Sequence, residues 1–278
     1  MYSIKDKVVV ITGASSGIGH ALAIAAIGRG AKAAVCGRDI NKLKDAFPGV
    51  DPARIRFFQA DVSIEKDCAA FTNFVIQTWG QIDILINNAG ISMRALFEDA
   101  DLSVIKELMD INFWGTVYMT KYALPTIRKQ NGVVLGVSSV AGYRGLPGRT
   151  GYSASKFAMQ GFLEALRTEL LHTGTHVMWV SPGFTASNIR AVARSSNGSA
   201  QGETPLEESK LMSAEECAKR ILDAIQQRKR SVIFTFMGNV TVWLNKLFSS
   251  TADKLVYNHF LKEPNSPLVK YETNQKGK

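Results

Sequence analysis

Between residues 8 and 236, near-continuously apolar runs alternate with amphipathic segments of helical length, and this alternation restricts the fold more than any other feature of the chain. The runs are Val8 to Thr12, Ala33 to Cys36, Ile55 to Gln59, Ile82 to Ile86, Val133 to Ser138, His176 to Ser181 and Val232 to Phe236. Strands with apolar side chains on both faces survive in water only if helices cover each side, as in parallel sheets. The segments Ser16 to Arg29, Lys66 to Trp79, Ser103 to Lys121, Tyr152 to His172 and Ala214 to Arg228 each carry one apolar stripe with polar residues opposite. Parallel crossovers are right-handed in about 98% of cases. The expected product is therefore an α/β fold, a doubly wound parallel sheet of three layers and about seven strands, with its ligand at the carboxyl ends of the strands.

With 33 basic and 24 acidic residues the formal charge is 33 − 24 = +9, and 46% of the residues are hydrophobic, which excludes disorder for most of the chain. The 278 residues suit one large unit, 1–238, with a substrate loop at about 186–213 and a tail at 239–278. Cys36, Cys68 and Cys217 show no C-x-x-C spacing, so neither a disulfide framework nor a metal site is expected, and a reducing, cytoplasmic setting fits best. The start, MYSIKDKVVVITG, leaves no room for a signal peptide before the first strand. Ser195 to Glu208, SSNGSAQGETPLEE, breaks the alternation and reads as a surface insertion or a mobile cover.

After the first strand comes Thr12-Gly13-Ala14-Ser15-Ser16-Gly17-Ile18-Gly19. Glycines allow a sharp turn and close backbone approach, while the N–H groups of the new helix attract a pyrophosphate. In such a site the end of the second strand selects the dinucleotide: a carboxylate there accepts from a ribose 2′-OH, whereas an arginine pairs a 2′-phosphate. Here Cys36-Gly37-Arg38-Asp39 offers Arg38, favouring NADP(H), with Asp39, 20 residues after Gly19, as the rival that would admit NAD(H).

Tyr152 and Lys156 are four residues apart and share a helix face. A phenol of pKa about 10 is a poor base at neutral pH, but a neighbouring cation favours its ionised form. Ser138 and Ser139, closing the preceding strand, could polarise a substrate carbonyl at the same sheet edge.

With these residues together, the chain resembles the short-chain dehydrogenase/reductase family in its compact, single-domain, Rossmann-type branch, near the hydroxysteroid dehydrogenase-like members. The resemblance rests on Thr12 to Gly19, Asp61-Val62, Asn87-Asn88-Ala89-Gly90, Asn112, Ser139, Tyr152/Lys156 and Pro182-Gly183-Phe184-Thr185, in the family's order, and covers Lys5 to about Thr185. It implies Tyr152 as acid/base, Lys156 as the group that lowers its pKa and holds the nicotinamide ribose, Ser139 on the reacting oxygen, and Asn112 in a water relay. It further implies cofactor contacts from Gly13, Ser15, Ser16, Gly17, Ile18, Gly19, Asp61, Val62, Asn88, Ala89, Gly90, Pro182, Gly183 and Thr185. The implied reaction interconverts a ketone or aldehyde and an alcohol by hydride transfer. A homodimer or homotetramer is also implied.

The substrate pocket is expected near Met93, Tyr143 to Pro147 and the segment after Thr185, whose apolar residues hint at a lipid-like or steroid-like substrate. Two other functions share the fold: a silent cofactor-sensing module, which needs neither the Ser139 hydroxyl nor an activated phenol, and a nucleotide-sugar epimerase, whose larger substrate domain has little room here. In the tail, Val240, Trp243, Leu244, Leu247, Phe248, Ala252 and Leu255 form a helical stripe, and residues 228 to 278 hold nine Lys+Arg against three Asp+Glu, hence 9 − 3 = +6. Such a helix packs on the cleft or a partner subunit, or lies on an anionic membrane surface. It is too short and broken to span a bilayer. No recognised nucleic-acid motif accompanies the basic charge.

Overall fold

The computed structural model describes residues 1–183, 185, 189–202, 204 and 211–273. Phe184, residues 186–188 of the expected substrate loop, and Glu203 and 205–208 of the Ser-rich segment lie outside the described residues. Seven strands, β1 (Val8–Thr12), β2 (Lys32–Gly37), β3 (Ile55–Gln59), β4 (Ile84–Asn87), β5 (Val133–Val137), β6 (His176–Ser181) and β7 (Ser231–Ile233), form one sheet. Their order is β3-β2-β1-β4-β5-β6-β7, and every pairing is parallel. The doubly wound architecture expected from the apolar runs is thus the one observed, and its direction reverses between β1 and β4.

The burial of both strand faces is literal. In β1, Val9 and Ile11 enter one core and Val8 and Val10 the other. Helices α1 (Gly17–Gly28) and α7 (Ala214–Gln226) cover the first core, while α3 (Glu65–Trp79), α5 (Gly115–Lys129) and α6 (Thr150–Glu169) cover the second. A strand with only one apolar face could not satisfy this geometry.

Four local features differ from the sequence reading. The stretch expected as one helix from Ser103 is α4 (Leu102–Leu108), a wide turn at Met109–Trp114, and α5 running on to Lys129. Wide turns of this kind displace one residue from the regular ladder, and here they carry Asn112. A short helix, α2 (Ile40–Asp45), follows β2, with Asp39 as its N-cap. β7 stops at Ile233, because Thr235 caps α8 (Phe236–Leu247) by accepting from Gly238 N. The tail's stripe is split between α8 and α9 (Ser249–Leu261), broken where Phe248 adopts φ −139°, ψ 60°.

The inner side of the tail packs beside the β5–α6 connection. Asn245 Nδ2 donates to Tyr143 O at 3.2 Å, Arg144 donates to Asn245 Oδ1 at 2.8 Å, and Arg149 donates to both Glu263 oxygens at 3.0 and 3.2 Å. The described part of the Ser-rich segment is also tied down. Asp101 N donates to Ser196 O at 2.8 Å and Gln201 Nε2 donates to Arg94 O at 2.9 Å, while Arg194, just before the segment, pairs with Glu107 on α4 at 2.6 Å. Cys36, Cys68 and Cys217 are buried free thiols, each pushed up to about 12 mainly by burial, which leaves them unreactive.

Candidate active site

A cleft of about 350 Å³ opens at the carboxyl ends of the strands, where β1 and β4 diverge. At one side runs the glycine turn. Gly13 has φ +67°, and a Cβ there would lie 2.8 Å from Ala89 Cα, so only glycine fits between the two strand ends. Thr12 Oγ1 accepts from Asn88 N at 3.1 Å and Ala89 N at 3.0 Å, and Asn88 Nδ2 donates to Thr12 O and Gly13 O, which locks the turn to β4. Ser16, the N-cap residue of α1, makes no side-chain capping bond. The first N–H groups of that twelve-residue helix therefore face the cleft without a side-chain cap, an arrangement suited to phosphate.

Gly13, Ser15, Ser16, Gly17 and Ile18 line this cleft, as do Arg38, Asp61, Val62, Asn88, Ala89, Gly90, Pro182, Gly183 and Thr185. Gly19 does not. A Cβ on it would sit 2.3 Å from Gly13 O and 2.5 Å from Asn88 Nδ2, so it lets α1 pack under the turn rather than touch a ligand. Gly19→Ala should cost about 1–3 kcal/mol and lower the melting temperature by several degrees, as overpacking against rigid backbone does. An unchanged melting curve in calorimetry would show that the turn yields freely.

At the rim beyond β2 the residues of the two rival readings of cofactor choice are placed differently. Asp39 Oδ1 accepts from Asn41 N and Lys42 N, both at 3.0 Å, and is thereby committed to capping α2. Arg38 and Lys42 line the cleft and Asp39 does not. Lys42 was not singled out from the sequence, although an Asp opening a helix was the available signal for its position.

Across the cleft stand Ser139, Tyr152 and Lys156. The Ser139 side chain lies where it favours the ionised form of the Tyr152 phenol. Both Ser138 and Ser139 line the cleft; Ser138 is buried and accepts from Gln160 Nε2 at 2.8 Å, which ties it to α6, while Ser139 Oγ is less buried and accepts from Ala141 N at 3.1 Å. Lys156 is 3% exposed; its Nζ donates to Val137 O at 2.9 Å and lies 5.8 Å from the centroid of the Tyr152 ring.

Burial acts on both groups against their charged forms. It raises the Tyr152 phenol above its ordinary value, opposed by the Ser139 side chain and then by the Arg149 and Arg190 guanidiniums. It pulls the Lys156 ammonium down to about 8. The expected depression of the phenol is therefore reversed in the chain by itself, because desolvation outweighs the nearby cations.

Asn112 is fully buried behind the cleft. Its Oδ1 accepts from Ile91 N, and its Nδ2 donates to Ile91 O and Ser155 Oγ, each at 2.9 Å. It clamps the chain just after Gly90, whose Cβ position would lie 3.0 Å from Asn112 Oδ1 and 3.3 Å from Lys156 Nζ. Asp61 Oδ1 accepts from Ser63 N at 2.9 Å and Ser63 Oγ at 2.7 Å.

The expected pocket residues divide. Among the residues after Thr185, Ile189, Arg190 and Val192 line the cleft, joined by Ile91. Met93 instead lies buried against Gly151, the Tyr143 hydroxyl accepts from Trp179 Nε1 at 2.7 Å, and Leu146 packs on the tail cluster of Leu96, Phe260 and Leu268. Sequence periodicity could not have separated cleft from core here, since both are apolar. Arg190 donates to Thr185 O at 3.0 Å, a contact that no local pattern announces.

The family model for short chain dehydrogenases matches residues 7–198. An 11-beta-hydroxysteroid dehydrogenase-like 4A protein of Arabidopsis thaliana is 36% identical over 251 residues, covering 88% of this chain and 81% of the relative. Two solved structures share the fold. A short chain dehydrogenase/reductase from Burkholderia phymatum in complex with NAD has a TM-score of 0.77 at 22% identity over 90% of this chain and 96% of its own. A short chain dehydrogenase from Burkholderia cenocepacia J2315 in complex with NADP has a TM-score of 0.77 at 23% identity over 92% and 99%. The chain belongs to the short-chain dehydrogenase/reductase family of oxidoreductases.

Proposed function

We propose that this chain interconverts a ketone or aldehyde and the corresponding alcohol, using NADP(H), with Tyr152 as the acid/base. The observation that carries this reading is the convergence of Ser139, Tyr152 and Lys156 on the one cleft that also holds the glycine turn. The nicotinamide, when bound, supplies or accepts the hydride. Ser139 Oγ holds the substrate oxygen, and Tyr152 Oη gives that oxygen its proton during reduction and removes it during oxidation. Lys156 holds the ribose side and places a positive charge beside the phenol. Asn112 keeps the Gly90 turn in place opposite Lys156. Asp61 and Val62 border the adenine, Asn88 to Gly90 the ribose, Gly13 to Ile18 the phosphates, and Pro182, Gly183 and Thr185 the carboxamide.

Preference for NADP(H) over NAD(H) is supported by the capping role of Asp39 and the two cations at the rim. A guanidinium on a 2′-phosphate contributes about 1.5–3 kcal/mol. Arg38→Ala together with Lys42→Ala should therefore lower the NADPH-to-NADH ratio of kcat/KM by about 10–100-fold or more, while Asp39→Ala leaves that ratio near its starting value and costs about 1 kcal/mol of stability. An unchanged ratio in the Arg38/Lys42 variant refutes the assignment.

The apolar wall of Ile91, Ile189 and Val192 favours a lipid-like or steroid-like substrate. Chemistry is assigned to residues 1–238 of a cytoplasmic enzyme. Self-association as a homodimer or homotetramer is supported by the exposed aromatic face formed by α6 and the wide turn before α5, where Trp114 and Phe157 reach solvent and the Phe113 and Phe162 rings meet edge-on with centroids 6.4 Å apart.

A further inference from the structure

Among the described residues nothing covers the outer side of α8. Phe236, Met237, Trp243, Leu247 and Phe248 are 80%, 67%, 64%, 65% and 61% exposed, and Val240 lies with them. Phe236, Val240, Trp243 and Leu247 follow one another at intervals of four, three and four, so they form a single line along the helix. The opposite side is spent on the fold. Gly238 and Val242 are buried, and a Cβ on Gly238 would meet Thr235, Ile233 and Val140 within 3.0 Å. A helix apolar on both sides has one face for its own protein and one for something else.

The charges around this line are of one sign. From Ser231 to Ala252 the sequence has no carboxylate and a single charged residue, Lys246. Lys254 follows on α9, while Arg228 to Arg230 lie at the amino end of β7, where Arg228 donates to Gly174 O and Asn131 O and Arg230 pairs with Glu164, and take no part in this face. The first acid, Asp253, is paired with Arg144. Residues 228 to 278 account for 9 − 3 = +6 of the net +9. An apolar line with Trp and Phe, accompanied by Lys246 and Lys254 and free of carboxylates from Ser231 to Ala252, matches the chemistry of an anionic lipid surface: rings and aliphatic chains enter the acyl boundary while ammonium groups meet the headgroups. No helix among the described residues is long and apolar enough to cross a membrane, so the contact would lie in the plane of the surface.

From this geometry we propose that the outer face of α8 docks the protein on an anionic bilayer, with Phe236, Val240, Trp243 and Leu247 entering the interface. The docked helix adjoins the cleft. Its cap residue Thr235 packs on Gly183, where a Cβ would come within 2.4 Å, and Gly183 lines the cleft. An apolar substrate dissolved in the bilayer would thus be delivered beside the site. This last step rests on the lipid-like substrate proposed above; the docking itself does not.

The test is flotation of the full chain with vesicles of phosphatidylcholine and phosphatidylserine in equal parts, against vesicles of phosphatidylcholine alone. Wild type should float with the mixed vesicles and bind them at least tenfold more tightly than the neutral ones, with the difference shrinking as salt rises. Trp243→Ser combined with Leu247→Ser changes only exposed side chains and should weaken that binding by about 10–100-fold, with NADPH affinity as the control that the fold is intact. Absence of flotation by wild type, or equal flotation by the variant, overturns docking. If the variant instead splits an oligomer in light scattering while vesicle binding is unaltered, the face belongs to a second copy of the chain and the proposal is wrong. NADPH binding and carbonyl turnover are read separately, so a failure of docking and a failure of the redox reading are distinguishable.

Discussion

Tyr152→Phe should leave NADPH affinity unchanged and lower turnover of a carbonyl substrate by about 10²-fold or more. The ring keeps its packing, since Tyr152 sits against the apolar core on the Lys156 side of the cleft, and only the hydroxyl is lost. A group that carries a proton to the substrate oxygen is used in the transition state and not in cofactor binding, so the loss should fall on kcat. Fluorescence titration with NADPH and steady-state rates on the same preparation check both halves. Turnover within a few-fold of wild type would remove Tyr152 from the chemistry, and a large loss of NADPH affinity would make it a binding residue instead.

Lys156→Met should abolish most turnover and at the same time make the fold more stable at neutral pH. The lysine's pKa drops from its ordinary 10.5 to about 8 because burial opposes the ammonium. The unfolded chain then holds a proton that the native one tends to release, so stability rises with pH between those two values and the full cost of the buried cation is felt below about 8. Methionine has similar length and no charge. The gain should be about 1–2 kcal/mol, after allowing for the donor lost to Val137 O, or a few degrees in melting temperature. The same value fixes a pH limb: carbonyl reduction that depends on the cation should be level near neutrality and fall as pH passes about 8, a limb the methionine variant should lack. Calorimetry at neutral pH decides the first part. A melting temperature lowered by several degrees would mean that the ammonium is held by more than one main-chain carbonyl.

These two expectations share a cause that the sequence does not display. A tyrosine and a lysine four residues apart suggest a cation beside a phenol, and the pairing is there at 5.8 Å. What spacing cannot give is the dryness of the cleft, which raises one group and lowers the other. The fold was the more legible part. Runs such as Val8 to Thr12 are apolar on both faces, and this property depends on neighbouring residues alone, so a parallel, doubly wound sheet of about seven strands followed from alternation and right-handed crossovers, while the strand order is seen only in the structure. The glycine turn from Gly13 to Ile18, also read from neighbouring residues, lies along the cleft.

Features decided by distant partners were not. Gly19 looked like part of the phosphate turn, yet its role is set by Gly13 O and Asn88 Nδ2 pressing from above. Asp39 had the spacing of a ribose ligand, and the structure uses one of its carboxylate oxygens to cap α2, a role the spacing did not announce. Arg190 and Lys42 reach the cleft through loops and a short helix whose course depends on tertiary packing. In the tail, periodicity correctly marked an apolar stripe but could not say which residues the protein covers itself, because the break at Phe248 reorients everything after it.

The most direct measurement of the proposed activity uses NADPH carrying deuterium at the nicotinamide C4 position, incubated with a panel of apolar ketones and aldehydes and followed by mass spectrometry of the products. One deuterium on the carbinol carbon with the wild-type chain, and its near-complete loss with Tyr152→Phe, is the expected result. Tight NADPH binding with no label transferred to any carbonyl would contradict it, and would leave a cofactor-sensing module on an oxidoreductase fold.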